Sequence, residues 1–223
     1  MKAVAIIGSP KGMEGNTGVV LGGVLEGVRE AGAEVTVFEL GAMKVGPCRA
    51  CDVCHRTGKC SIQDDFGTIL EAMVEADAIV LASPNYIFSV PAQMKALFDR
   101  CCGPLHLQLL DGKHAAAVVT SGGAGCEEVE TYMLRFLRTL GCWTVGSVGV
   151  EAAKLFGDAS RAEVLTDAAA LGAELVAAAE AGHTFPEQQA ERDAFKERMK
   201  QLMTFRREEW PYEYEYWRAA GRL

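Results

Sequence analysis

An apolar run, a glycine-rich loop and an amphipathic helix follow one another directly at the start of the chain. Residues 3–7 have the length and bulk of a strand buried on both faces, and the glycine-rich loop covers residues 8–17. Val20, Val24 and Val28 then recur at helical spacing. A buried strand that turns directly into a helix is the repeating unit of α/β sheets, so this segment predicts an α/β fold.

The same alternation of strand and helix continues along the chain. Four more apolar runs predict strands at residues 34–40, 78–82, 114–120 and 142–150. Because helices separate the strands, we expect a doubly wound five-stranded parallel sheet with right-handed crossovers.

The chain divides into two parts by composition. We predict one domain over residues 1–182, in which a cysteine-rich loop at 41–63 follows the second strand. Residues 183–223 predict an amphipathic helix and an aromatic tail, which pack on the body of the protein or on a second subunit.

The glycine-rich loop has the features of an anion site. The first N–H groups of a helix have no partner inside the helix, and the macrodipole adds positive charge there. Ser9, Asn16 and Thr17 can donate from their side chains, Gly15 lets the backbone approach closely, and Lys11 adds a full charge. The loop matches neither a Walker motif nor G-x-G-x-x-G, which favours a terminal phosphomonoester over a pyrophosphate.

Two alternatives to a phosphomonoester site remain open at this stage. The loop is also compatible with an ordinary turn that binds no ligand. Glu39 ends the second predicted strand, where dinucleotide folds carry the acidic residue that binds a ribose, and this keeps a dinucleotide as a weaker hypothesis.

Two further loops follow the carboxyl ends of strands, where the loops of such a sheet converge. Tyr86 and Phe88 can flank a flat ring, Asn85 can bind its polar edge, and the glycines after Ser121 allow close approach. A planar cofactor with a phosphate tail fits the three loops, and FMN is the candidate, although Tyr86 and Phe88 can also be simple loop anchors. The predicted cofactor-binding residues are Ser9, Lys11, Gly15, Asn16, Thr17, Pro84, Asn85, Tyr86, Ile87, Phe88, Ser121, Gly122 and Gly123.

Four of the eight cysteines form the pattern C-x2-C-x2-C-x5-C, namely Cys48, Cys51, Cys54 and Cys60. Bacterial ferredoxins group their thiolates at this spacing, whereas zinc sites usually separate two CxxC pairs. The pattern favours a [4Fe–4S] cluster, with zinc in the same position as the second hypothesis and a redox-active dithiol as the third.

The other cysteines and the histidines show no such pattern. His55 could ligate a metal, but we interpret it as an ordinary loop residue. We assign no role to the remaining histidines, which are His106, His114 and His183. Most of the other cysteines are expected to be small buried residues, and these are Cys101, Cys102, Cys126 and Cys142.

Charge and hydropathy exclude several partners. The net charge is −8 and no basic cluster is present, which argues against nucleic acid. No apolar run approaches the ~20 residues that span a bilayer, and the first strand begins where a signal peptide would lie. We therefore predict a cytoplasmic protein without a membrane or nucleic-acid partner.

The motifs together resemble a known family. Gly8-Ser9-Pro10-Lys11, Gly15-Asn16-Thr17, Ser83-Pro84-Asn85-Tyr86 and residues 91–100 resemble the NADPH-dependent FMN reductases, and the cysteine pattern is most similar to their iron–sulfur flavoprotein branch. This resemblance implies a flavodoxin-like sheet of strand order 2-1-3-4-5, bound FMN, and a homodimer or homotetramer. It also implies a cluster that passes electrons to a flavin, on a neighbouring subunit.

Three functions remain in competition. The first is an electron-transfer flavoprotein that uses FMN and a [4Fe–4S] cluster with a ferredoxin-like or small-molecule redox partner. The second is an NAD(P)H-dependent reductase of flavin or quinone without a cluster. The third is a non-enzymatic binding module stapled by a metal. No catalytic residue is assigned under any of them.

Overall fold

A computed structural model describes all 223 residues and contains one sheet of five parallel strands. The strand order is β2-β1-β3-β4-β5, which confirms the predicted flavodoxin-like class and its order. The strands are β1 (Lys2–Ile7), β2 (Glu34–Glu39), β3 (Ala78–Pro84), β4 (His114–Ser121) and β5 (Trp143–Glu151).

Nine α-helices accompany the sheet, and two short 3₁₀ turns lie at 12–14 and 152–155. None of the helices is both long and apolar enough to cross a membrane. The helices are α1 (Asn16–Glu30), α2 (Val53–Thr57), α3 (Phe66–Glu75), α4 (Ala92–Arg100), α5 (Cys102–Leu107), α6 (Cys126–Thr139), α7 (Asp158–Glu180), α8 (Pro186–Phe205) and α9 (Pro211–Ala219).

The central strands β1, β3 and β4 are buried on both faces, which explains why they are predominantly apolar. Alternate residues of a strand point to opposite faces, and in β1 Val4 and Ile6 face one layer while Ala5 and Ile7 face the other. Helices α3, α4 and α6 cover the first layer, and α1 and α7 cover the second. The loops after β1, β3 and β4 are thereby left free at one edge of the sheet.

The carboxyl-terminal segment packs on the body of the same chain. Met199 and Met203 of α8 and Trp217 of α9 form a small core with Leu107 of α5. The indole Nε1–H of Trp217 also donates to the His106 carbonyl at 2.9 Å. The tail therefore covers α5 and comes close to the cysteine-rich loop, while the division into two domains stays a prediction.

Three helices lie where the sequence patterns indicated loop or tail. Helix α2 lies inside the cysteine-rich loop, α5 follows α4 directly, and α9 lies in the aromatic tail. The first two have only five and six residues, too short to show a helical period. Helix α9 begins with Pro211 at its first turn, a favourable start that the surrounding aromatic residues obscured.

Candidate functional site

A cleft of about 310 Å³ opens at the carboxyl ends of β1, β3 and β4. Ile87, Phe88 and Gly123 lie on its loops but outside its lining, and Glu14, Thr120 and Ala152 join the lining without having been predicted. The structure brings the other predicted cofactor residues together in this cleft, which are Ser9, Lys11, Gly15, Asn16, Thr17, Pro84, Asn85, Tyr86, Ser121 and Gly122.

One end of the cleft is the amino terminus of α1. The first backbone bond of this helix runs from Val19 N–H to the Gly15 carbonyl at 3.0 Å. The N–H groups of Asn16, Thr17 and Gly18 consequently have no backbone partner, as expected for a first turn. Such a turn attracts an anion because its free N–H groups and the helix dipole point the same way.

Hydroxyl groups complete this end of the cleft. Thr17 is almost fully buried, and its Oγ1 lies 2.7 Å from Oγ1 of Thr120, the penultimate residue of β4. The Ser9 hydroxyl accepts the Lys11 N–H at 3.2 Å and so shapes the turn. The two hydroxyls share one hydrogen bond that joins α1 to β4, and the second of their two protons stays free for a ligand in the cleft.

Glu39 holds the loop from behind. Its Oε2 accepts the Met13 N–H at 3.0 Å, and Gly12 has a φ of +53° with its α-carbon against the same carboxylate. A side chain at Gly12 would collide with Glu39 and would also be strained at that φ. The Glu39 carboxylate is therefore already bound to the loop. The dinucleotide hypothesis depended on this residue and loses its support.

The opposite end of the cleft carries polar atoms without a partner in the chain. The Asn85 amide donates to the carbonyls of Ala124 at 3.0 Å and Gly125 at 2.9 Å, and so joins two of the three loops. Its buried Oδ1 and the buried Oγ of Ser121 have no hydrogen-bond partner. Buried polar atoms are normally satisfied, so the pair fits the polar edge of a bound ring.

A strained turn lies beside this end. Tyr86 and Ser89 exchange both backbone hydrogen bonds, at 2.8 and 3.2 Å, around Ile87 and Phe88. These two central residues have φ of +53° and +60°, which is unfavourable for a β-branched residue such as isoleucine. Ile87 is 92% exposed and Phe88 69%, so the turn presents apolar side chains to solvent.

A second cavity, of about 320 Å³, lies in the cysteine-rich loop and shares no lining residue with the cleft. All four patterned cysteines line it, and no three of their sulfurs lie within 4.8 Å of one another. A tetrahedral zinc ion with bonds of about 2.3 Å would hold its sulfurs about 3.8 Å apart. Four thiols around one cavity are nevertheless donors that could hold either a metal ion or an iron–sulfur cluster.

Arg100, at the end of α4, holds both ends of this loop. Its guanidinium donates to the Gly46 carbonyl at 3.0 Å, to the Ile62 carbonyl at 3.3 Å, and to both carboxylate oxygens of Asp64 at 2.8 and 3.1 Å. Burial opposes ionisation of Asp64, but the bonds from Arg100 and from Gly46 and Phe66 lower its pKa. Asp64 also accepts the N–H of Phe66, the first residue of α3, at 3.2 Å.

A cluster of titratable side chains lies beside the loop, where the sequence assigned no role. His55 is not an ordinary loop residue, because its Nδ1 lies 2.6 Å from Oε1 of Glu213 in α9. His106 binds the other oxygen of Glu213 through Nδ1 at 3.0 Å. The sulfur of Cys102 lies 3.9 Å from Nε2 of each ring, and Cys102 is exposed rather than a small buried residue.

The environment shifts the pKa values in this cluster. Hydrogen bonds from His106 and then His55 lower the pKa of the Cys102 thiol to about 6. Burial alone would lower the pKa of His106, but Cys102 and Glu213 together raise it to about 9. Burial of Glu213 favours its neutral form, yet the two imidazoles outweigh burial and lower its pKa. The side chains of Cys102, His106 and Glu213 are therefore charged at neutral pH.

The chain is similar to known FMN reductases and iron–sulfur flavoproteins. Residues 1–155 match the family model described as NADPH-dependent FMN reductase. An iron–sulfur flavoprotein of Archaeoglobus fulgidus is 33% identical over 228 residues, which cover 99% of each chain. One of Methanocaldococcus jannaschii is 43% identical over 100 residues, which are 45% of this chain and 51% of that one. The solved NAD(P)H:quinone oxidoreductase from Methanothermobacter marburgensis shares the fold, with a TM-score of 0.62 at 20% identity over 78% of this chain and 96% of that one.

Proposed function

We propose that this chain, which belongs to the NADPH-dependent FMN reductase family, is an iron–sulfur flavoprotein that exchanges electrons between a [4Fe–4S] cluster, FMN and an external redox partner. The family makes it a flavin-dependent oxidoreductase. The relative that it matches over its whole length is named an iron–sulfur flavoprotein, which supports the finer assignment.

The cleft is proposed as the FMN site. The free N–H groups of Asn16 and Thr17 would hold the phosphate, and Lys11 would add charge. The orphaned oxygens of Asn85 and Ser121 would face the polar edge of the ring, beside the half-exposed ring of Tyr86. FMN, when bound, supplies one- and two-electron transfer, while the chain orients it and sets the polarity around it.

The observation that carries the cluster assignment is the position of the four thiols around one cavity. Cys48, Cys51, Cys54 and Cys60 come from a loop whose two ends are held by the buried Arg100. The Ser61 hydroxyl lies 3.3 Å from the Cys51 sulfur and lowers its pKa, which favours the thiolate that ligates metal. Four thiolates supplied in this way are the ligand set of a [4Fe–4S] cluster.

Assembly into a homodimer or homotetramer belongs to the same proposal. The cleft and the cysteine cavity share no residue, and the exposed Ile87 and Phe88 lie beside the cleft. Exposed apolar side chains on a strained turn favour contact with another subunit. A flavin and a cluster from neighbouring subunits would then approach each other across that contact.

Replacement of one cluster ligand tests the proposal. Anaerobically purified wild type should contain iron, acid-labile sulfide and FMN, and Cys51→Ser should lose iron and sulfide while it keeps FMN. Cys126→Ser is the matched control, because Cys126 lies outside the cysteine cavity. If wild type purified from an iron-replete host is folded and contains FMN but no iron, the cluster assignment is wrong. The remaining function is then that of a flavin reductase without a cluster.

The nature of the electron donor separates the remaining functions. The cleft is open and Tyr86 is half exposed, so a nicotinamide ring from NAD(P)H can reach a flavin bound there. Anaerobic addition of NADPH, NADH or reduced ferredoxin, with the flavin absorbance recorded, identifies the donor. A colourless protein that takes up no FMN would instead indicate the non-enzymatic binding module.

A further inference from the structure

Three metal-ligating atoms outside the four-cysteine set converge on one point. Sγ of Cys102 and Nε2 of His55 and His106 all lie within 4.8 Å of one another. Cys102 and His106 stand four residues apart in α5 and so share one face of that helix, whereas His55 comes from α2. The convergence is therefore built by tertiary structure from two elements.

A buried carboxylate fixes the direction of both rings. Glu213 is fully buried and its two oxygens meet Nδ1 of His55 and Nδ1 of His106. A carboxylate can only accept, so each Nδ1 carries the proton and each Nε2 is directed toward Cys102. Metal-ligating histidines typically donate their second ring N–H to a carboxylate in this way.

Packing keeps the rings in this arrangement. His55 and His106 stack on each other with centroids 4.9 Å apart, and Trp210 stacks on His55 at 4.4 Å. Helix α9 also lies against the loop, since a side chain at Gly58, whose φ is +75°, would collide with the Tyr212 ring. The site is thus organised before any ligand binds, which raises affinity.

Without a metal, the contacts among the three atoms are the two S···N contacts of 3.9 Å, in which the charged imidazoles donate from Nε2 to the Cys102 thiolate. A divalent cation can displace these Nε2 protons and hold the same three atoms together. A cation that accepts electron pairs from both nitrogens and from the sulfur uses the whole set. A mixed nitrogen and sulfur donor set suits a borderline ion, of which Zn²⁺ is the usual one in proteins.

We infer that His55, Cys102 and His106 form a mononuclear zinc site with Glu213 as the carboxylate that orients both histidines. Zinc bonds of about 2.3 Å to sulfur and about 2.05 Å to nitrogen set a tetrahedral S···N distance of about 3.6 Å. The two S···N distances of 3.9 Å are close to this value. The sulfur needs to move only a few tenths of an ångström relative to each nitrogen.

The site has three protein ligands and one open position. Cys102 and His55 also line the cysteine cavity, so the fourth position faces that cavity and is filled by solvent. Because none of the four patterned cysteines is a ligand, the inference does not rest on the proposed function. The zinc would join α5 to the cysteine-rich loop.

Metal content of the whole protein tests the inference. Anaerobically purified chain is incubated with zinc salt, freed of unbound metal by gel filtration, and analysed for zinc, iron and FMN. Wild type should hold about one zinc per chain, bound by the three protein ligands. Cys102→Ser and His106→Gln should lose this zinc, whereas His183→Gln, which changes an exposed histidine, should keep it.

The orienting role of Glu213 has its own readout. Glu213→Gln should weaken zinc binding about 10–100-fold in competition with a chelator, as loss of an outer carboxylate does. Glu215→Gln is the matched control, because Glu215 lies on the same helix in an exposed pair with Arg218. Far-UV circular dichroism of each variant shows whether it is folded, and only folded variants are compared.

Three outcomes overturn the site. The first is a zinc content in wild type no higher than in His106→Gln. The second is loss of iron together with zinc in Cys102→Ser, which would make Cys102 part of the cluster. The third is alkylation of Cys102 by iodoacetamide at the same rate with and without zinc. Retention of zinc in Cys51→Ser, which lacks iron, separates this site from the proposed cluster.

Discussion

Arg100→Met removes the contact that holds the cysteine-rich loop. The guanidinium is 4% exposed and makes four hydrogen bonds, two to Asp64 and one each to the carbonyls of Gly46 and Ile62. Methionine preserves the packing of the stem near Phe66, over which the guanidinium lies at 4.5 Å. It leaves the Asp64 carboxylate without its cation.

The expected cost follows from these contacts. Removal of one partner of a buried ion pair costs about 3–5 kcal/mol. Asp64 keeps the N–H donors of Gly46 and Phe66, which places the loss at the lower end, about 3 kcal/mol. For a chain of this size the melting temperature should fall by about 6–12 °C.

Urea unfolding at fixed FMN concentration, followed by circular dichroism, measures this loss. The control is Lys95→Met, which breaks an exposed pair with Asp99 and should cost at most about 0.5 kcal/mol. Iron content should fall in Arg100→Met and not in the control. A free energy of unfolding for Arg100→Met within about 1 kcal/mol of wild type would refute the argument, because a buried charge cannot lose its partner that cheaply.

Three further substitutions test other parts of the structure. Thr17→Val leaves the Thr120 hydroxyl without its partner and should weaken FMN binding about tenfold by fluorescence titration; an unchanged Kd would place the phosphate elsewhere. Trp217→Ala should lower the free energy of unfolding by about 3–5 kcal/mol because Trp217 is 2% exposed, and a loss below 1 kcal/mol would contradict its role as the anchor of the tail. Burial lowers the pKa of His114, so stability should decline as pH falls below 6.5, by up to about 1.4 kcal/mol per pH unit, and His114→Gln should flatten this dependence; parallel curves would show that His114 does not titrate with folding.

The sheet could be predicted because its signals are local. The run at residues 3–7 and the loop after it specify a strand and a helix start within twenty residues, and both were found in place. The contact between Glu39 and Met13 could not be predicted from local sequence patterns, because 26 residues separate the two. Ten of the thirteen predicted cofactor residues line one cleft, since the sheet itself brings strand ends together, and their binding of a cofactor stays a prediction.

The cluster around Glu213 could not be predicted from a motif. His55 and Glu213 are separated by 158 residues, and His106 and Glu213 by 107. Neither contact follows from a period or a spacing, because they depend on how α9 packs on α2 and on α5. The only local signal was the i, i+4 pair of Cys102 and His106, which is visible only once α5 is known to be a helix.

The visible spectrum of anaerobically purified protein, with FMN and iron counted per chain, tests the central claim most directly. The account predicts resolved flavin bands above a broad absorption from the cluster, with one FMN and about four irons per chain. A folded protein that shows neither flavin bands nor iron after reconstitution with FMN, iron and sulfide would contradict it.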